Sequence, residues 1–218
     1  MNRDSQDYLL VPDTLPIQVD NKWRLSTLGT AVTLERERFL DAMSRSATGV
    51  TVVTTNGALG RFGQTVSAMS SVSADPQMLL VCISRKSPIH AAIVQHRVFA
   101  VNILRADHRR IAEVFSGRPR VGTPYDFGVA RWDLDTTTSP LLAGAVATFD
   151  CELEQSVAAG THEVFIGRVV GVGTGTGSPL LYAQRSYGEL HAFPNRVAPG
   201  EIVFPDMNET EELDLREL

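Results

Sequence analysis

The sequence predicts a mainly β fold, an antiparallel barrel with peripheral helices, and three observations carry that expectation. Runs rich in Val, Ile, Thr and Phe, bounded by Gly, Pro, Asn and Asp, dominate over helical segments. They follow one another in hairpin-like succession, with only three helices interposed. Regular strand–helix–strand alternation is absent, which argues against a doubly wound parallel sheet. The 218 residues, 43% apolar and 21% charged, suffice for one large domain with a sizeable core.

The elements follow in order. Residues 1–32 are polar and mixed, with Pro12 and Pro16, and read as an N-terminal arm with at most a short strand near residues 23–28. Leu34, Phe39, Leu40 and Met43 fit one helical face, and Gly49 is expected to end that helix. The β-branched residues 50–55 form a strand, and Asn56-Gly57 marks its hairpin turn. Strands follow at residues 62–68 and, past Asp75-Pro76, at 78–83. Ser87 as N-cap and Pro88 at the first helical position open a helix to about His96. Residues 98–104 alternate as a strand. Asp107 is expected to cap a helix that runs to Phe115 and is ended by Gly117. Residues 141–154 and 162–172 read as long strands around an Ala158-Ala159-Gly160 turn, and 180–190 as a short final strand. The folded domain thus covers residues 33–195, and 196–218 form an acidic C-terminal tail.

The net charge of −5 resides in that tail. Residues 206–218 hold six acidic residues against Arg216 alone; removing them from 25 acidic and 20 basic residues leaves 19 of each. A balanced body argues against nucleic acid as partner. The longest apolar run, residues 78–83, falls far short of the roughly 20 residues of a membrane helix, so no membrane association is expected. The N-terminus lacks an apolar core after a basic start, so no secretory signal is visible, and a cytoplasmic protein with reduced Cys82 and Cys151 is expected.

Among the motifs, Gly171-Val172-Gly173-Thr174-Gly175-Thr176-Gly177 is no dinucleotide fingerprint. Its glycines fall every second residue, and Pro179 follows where a helix should start, so it reads as a strand-to-strand loop. No phosphate-binding G-x-x-x-x-G-K-[ST], H-x-x-x-H or C-x-x-C occurs, and no metal site is expected. Thr65, Ser67, Ser70, Ser71 and Ser73 put five hydroxyls into nine residues beside Val66, Ala68, Met69 and Val72. A flat ring could lie on such small side chains with its polar edge at the backbone, although a Ser/Thr-rich strand without ligand reads equally well. Ser84-Arg85-Lys86-Ser87 brings hydroxyls, cations and a helix N-terminus to one point, suited to a phosphate or simply to solvated basic residues. His162 stands where a turn enters a strand, open to a cleft or to a surface role. Tyr187 reads as core or rim packing.

Together these segments resemble the flavin reductase components of two-component monooxygenases, which have the FMN-binding split-barrel fold. The resemblance runs over about residues 35–190. It is carried by Thr48-Gly49-Val50 with the strand after it, Gly63-Gln64-Thr65 leading into Ser70-Ser71-Val72-Ser73-Ala74-Asp75-Pro76, and Ser84-Arg85-Lys86-Ser87. Phe99-Ala100-Val101-Asn102, Gly160-Thr161-His162 and Arg185-Ser186-Tyr187 complete it.

The resemblance implies an antiparallel, Greek-key-like split barrel, a homodimer with flavin near the subunit interface, and an NAD(P)H-dependent reductase. Reduced FMN or FAD would pass through solution to a monooxygenase or halogenase. Gln64, Thr65, Val66, Ser67, Ala68, Ser70, Ser71, Val72 and Ser73 would hold the flavin, with Ser84, Arg85, Lys86 and Ser87 at its phosphate. His162 and Tyr187 would stand at the nicotinamide side, where NADH or NADPH delivers hydride. Thr161 departs from the family, in which an acidic residue commonly precedes the histidine. Two other readings remain: a pyridoxamine-phosphate-oxidase-like enzyme, disfavoured by the acidic C-terminus, and a non-catalytic flavin- or haem-binding module.

Overall fold

The computed structural model describes residues 36–191; Leu34, the N-terminal arm and the acidic tail lie outside them. The chain opens with helix α1 (Arg36–Ser44) and short strand β1 (Thr48–Gly49). Strands β2 (Thr51–Gly57), β3 (Gly60–Val66), β4 (Met69–Ala74) and β5 (Gln77–Ser84) follow. Helix α2 (Pro88–His96) and strand β6 (Val98–Ile103) lead to a 3-10 turn, Ala106–His108, and helix α3 (Arg109–Phe115). A second 3-10 turn, Phe127–Val129, precedes β7 (Trp132–Asp133) and β8 (Leu141–Leu142). The long strands β9 (Ala147–Ala159) and β10 (His162–Thr174) and the hairpin β11 (Leu180–Ala183) and β12 (Ser186–Glu189) complete it. No helix among the described residues is long and apolar enough to cross a membrane.

All strand pairs are antiparallel, and the main sheet has seven strands in the order β3-β2-β6-β9-β10-β5-β4. Its two edge strands, β3 and β4, are consecutive in the chain and joined by Ser67 and Ala68 alone. The sheet therefore curls until its edges meet, yet they do not pair, and the barrel stays split along that seam. Inside lie Val53, Val81, Ile83, Phe99 and Phe165, with α2 covering one end through Ile89 and Ile93. A second core gathers Val52, Leu104 and Phe115 under α3 and β11. Burying such apolar side chains stabilises each by about 1.5–3 kcal/mol over exposure.

Buried Asn102 joins the two cores. Its amide donates to Val52 O at 2.9 Å, and its carbonyl accepts from Leu142 N at 2.7 Å. Asp150, also buried, accepts from Thr137 N at 2.8 Å and from the Thr137 hydroxyl, fixing the loop ahead of β8.

Six expectations are corrected. Helix α1 ends at Ser44, not Gly49, which pairs with Leu181 in β1; Phe39, Leu40 and Met43 of its apolar face are exposed in the single chain. Asn56 and Gly57 belong to β2, and the turn is Ala58-Leu59. His96 Nε2 accepts the Leu59 N–H at 3.1 Å, and its ring fills the space a Cβ on Gly57 would need. Asp107 caps nothing, because Arg105 holds its carboxylate at 2.6 and 2.7 Å. The long turn is Gly160-Thr161, with Gly160 at φ +59° and Ala159 already paired to His162. The final strand is a hairpin that turns at Gln184 and Arg185, both left-handed at φ 48° and 62°. In the glycine run, Gly171 and Gly173 lie inside β10, where Asp135 and Thr148 crowd the missing Cβ positions.

Candidate active site

The seam holds a cleft of about 230 Å³. One wall is the end of β3 with the joint after it: Gln64, Thr65, Val66, Ser67 and Ala68. The other is the end of β5, Cys82, Ile83 and Ser84; Ser87 and His162 complete the lining. Register explains the convergence. His162, first in β10, sits directly opposite Ser84 of β5 and Ala159 of β9.

Hydrogen bonds hold the walls. The Ser87 hydroxyl donates to Gln64 Oε1 at 2.8 Å instead of capping α2, so the first-turn N–H groups of that helix keep no side-chain cap. The Thr65 hydroxyl donates to Ala112 O at 2.8 Å, pinning β3 to α3. Behind His162, Glu163 Oε2 meets His90 Nε2 at 2.6 Å in a largely buried pair. That hydrogen bond, seconded by Ser156, holds the Glu163 carboxyl below its usual range. Because His90 is in the first turn of α2, this pair fixes Ser87 relative to His162. The His162 ring itself is exposed, with Nδ1 2.9 Å from the Thr161 hydroxyl.

Eight residues singled out from sequence thus share one cleft: Gln64, Thr65, Val66, Ser67, Ala68, Ser84, Ser87 and His162. The others do not line it. Ser70, Ser71 and Val72 are exposed on β4, and Ser73 uses its hydroxyl to accept the Asp75 N–H at 3.1 Å. Arg85 and Lys86 point to solvent beside the helix start. Tyr187 lies in a neighbouring cavity of about 370 Å³ with Ser116, Arg118 and Tyr182, which meets the first along Thr65 and Ser67. Its ring packs edge-on to Tyr182 under the Arg109 guanidinium, and burial, then Glu113, raises its phenol pKa. Cys82 and Ile83 were missed. Cys82 shares the face of Ser84 on β5, two residues away, and that alternation was the available signal.

The cleft suits a planar ring carrying a phosphate chain. Val66, Ala68 and Ile83 give an apolar floor; Gln64, Ser67, Ser84 and Ser87 supply polar groups at its edge. The uncapped start of α2 adds N–H groups and a dipole suited to an anion.

Residues 43–191 match the model of the flavin reductase like domain. The "FMN reductase (NADH) RutF" of Variovorax paradoxus (strain S110) is 36% identical over 170 residues, 77% of this chain and 92% of that protein. The solved structure of the flavin reductase PheA2 superposes with a TM-score of 0.67 at 32% identity, covering 73% of this chain and all of the other. BorF, the flavin reductase component of a bacterial two-component tryptophan halogenase, gives 0.65 at 31% identity, again over 73% of this chain and all of its own. A split antiparallel barrel, a polar seam cleft and these matches converge on one assignment: the chain belongs to the flavin reductase-like domain family.

Proposed function

We propose that this chain is an NAD(P)H-dependent flavin reductase that reduces FMN or FAD and supplies reduced flavin to a separate monooxygenase or halogenase. The observation that carries the reading is the seam cleft, which unites an apolar floor, a hydrogen-bonding edge and an uncapped helix start. The NADH-dependent relative and the halogenase component support donor and destination by similarity.

Bound flavin supplies a hydride acceptor for reduced nicotinamide, a transfer that depends on close ring stacking more than on a protein acid or base. Val66, Ala68 and Ile83 exclude water from the ring face. Gln64, Ser67 and Ser84 orient its polar edge, and Ser87 with the α2 N-terminus holds the phosphate. His162, exposed at the rim, meets the incoming nicotinamide, and Tyr187 flanks the far side of residues 65–67. Ser70, Ser71, Val72, Ser73, Arg85 and Lys86 would reach ligand only from outside the cleft. The reading includes a homodimer, supported by the exposed Phe39, Leu40 and Met43 of α1.

The test is NADH and NADPH oxidation by flavin-free protein, with and without added FMN or FAD. Flavin-dependent turnover is expected. Tight flavin retention with no turnover would instead favour a non-catalytic carrier. Sedimentation equilibrium reads the dimer.

A further inference from the structure

A cavity of about 450 Å³ opens between α3, the loop after it and the β11–β12 hairpin. It continues into the cavity at Tyr187, since Ser116, Arg118, Tyr182 and Tyr187 line both. Arg109, Arg118, Arg120 and Arg185 line it, and Glu113 is the one carboxylate among its described lining residues. Glu113 Oε1 meets Arg109 Nε at 3.0 Å and Arg120 Nε at 3.5 Å, so two guanidinium groups share one negative charge. Arg118 and Arg185 have no carboxylate partner among the described residues. Four positive charges against one negative leave the lining with an excess of three.

The backbone holds these arginines together. The loop bearing Arg118 and Arg120 is closed at both ends: Gly117 turns left-handed at φ 78°, and Tyr125 returns its N–H to Val114 O at 3.1 Å. Just beyond, Phe127 packs edge-on to Phe115 at 4.9 Å. Arg185 is left-handed at φ 62° in a turn without glycine, a costly conformation for a residue with a long side chain. Gln184 N–H ties that turn to Ser44 O at 2.6 Å. Like charges gathered at one cavity repel, so the arrangement calls for an anionic occupant.

We propose that the occupant is this chain's own acidic segment, residues 206–218. Charge, place and reach select it. The segment holds six acidic residues against Arg216 while the rest of the chain is balanced, so its excess and that of the cavity are complementary. Strand β12, which lines the cavity through Ser186 and Tyr187, is the last strand before the segment. Residues 190–205 lie between them and span up to about 55 Å when extended, so length is no obstacle. Each carboxylate that enters finds guanidinium forks shaped to receive it. The docking stands without the reductase reading; on that reading, the docked segment also hinders whatever approaches the first cleft past Tyr187.

The test uses the full chain. Lys22 and Lys86 are its only lysines, so Arg118→Lys adds one amine at the cavity and keeps the charge. A zero-length carbodiimide joins an amine to a carboxylate that touches it. It is expected to link position 118 to residues 206–218 within one chain, as read by peptide mass spectrometry. Most of that product should vanish in about 0.5 M salt, where screening shortens to roughly 4 Å. Arg168→Lys, on β10 outside the cavity, should give no such link. An independent measurement is calorimetric titration with inorganic pyrophosphate. It compares the wild type with a chain carrying Asp206→Asn, Glu209→Gln, Glu211→Gln, Glu212→Gln, Asp214→Asn and Glu217→Gln. Freed of its internal competitor, that chain should bind pyrophosphate about tenfold more tightly. Adding Arg118→Ala and Arg185→Ala should abolish the gain, and thermal unfolding confirms that each variant is folded. Absence of the link at 118, an equal link at 168, a link only between two chains, or unchanged pyrophosphate binding overturns the proposal. None of these measures turnover, so the reductase reading stands or falls separately.

Discussion

Ser87 Oγ donates to Gln64 Oε1 at 2.8 Å, so the residue at the N-cap position serves a neighbouring strand and leaves its own helix uncapped. The bond ties the start of α2 to the end of strand β3 before the seam, and both partners line the cleft. An anion arriving there finds helix N–H groups that no side chain has claimed.

Ser87→Ala removes that tie. Flavin affinity is expected to weaken about five- to tenfold, the worth of one hydrogen bond in a partly shielded site. Ser87→Thr, which keeps the hydroxyl, is expected to retain most of it. Fluorescence titration with FMN measures both, and equal loss in the two variants would refute a role for the hydroxyl.

His162→Ala is expected to act on the hydride donor. Its ring reaches the rim from a position locked opposite Ser84, so KM for NADH should rise about tenfold, with a smaller change in kcat. Steady-state kinetics at saturating flavin measure the split.

Gly57→Ala tests the reason for the shifted hairpin turn. The added Cβ would lie 2.6 Å from the His96 ring, and the expected cost is about 1–3 kcal/mol in chemical denaturation.

Stability should also fall in mild acid through His96. The Thr55 hydroxyl donates to Val98 O at 2.7 Å, so it must accept from His96 Nδ1, while Nε2 accepts from Leu59 N. Both nitrogens are committed to the neutral ring, and burial lowers its pKa below 6.5; burial lowers His108 likewise. The unfolded chain binds more protons below 6.5, so this contribution is complete above that pH and is lost as pH falls toward the lowered values. Glu163, held low by His90, adds a further loss of stability in stronger acid, starting near pH 4.5. Denaturation midpoints across this range should drop less in His96→Gln than in the wild type.

Asn102→Ala leaves Val52 O and Leu142 N–H buried without their partner and is expected to cost roughly 2–3 kcal/mol. Asn102→Asp should cost at least as much, because a carboxylate would face the Val52 and Pro140 carbonyls. Urea unfolding measures both.

Strands β2, β5 and β6 were legible because β-branched runs bury both faces or alternate cleanly, and α2 because Pro88 can only begin a helix. Strand β4 was not, since its serines have low strand preference and are held by pairing to β5. The β11–β12 turn carries no glycine, so nothing local marks Gln184 and Arg185 as left-handed. In the cleft, residues next to one another in sequence were readable as a group. Cys82, Phe127 and Tyr125 gain their places from the barrel's closure and a long loop, distances that residue spacing does not encode.

The unpaired seam and the locked position of His162 have unequal consequences for change over generations. Between Val66 and Met69 no ladder joins the two edges, so substitutions there can reshape one wall of the cleft with no β3–β4 pairing to break. His162 has no such freedom: a one-residue slip of β10 against β5 and β9 would turn it to the opposite face and carry the whole strand with it. One wall can drift toward new ligands while the other keeps its chemistry in place.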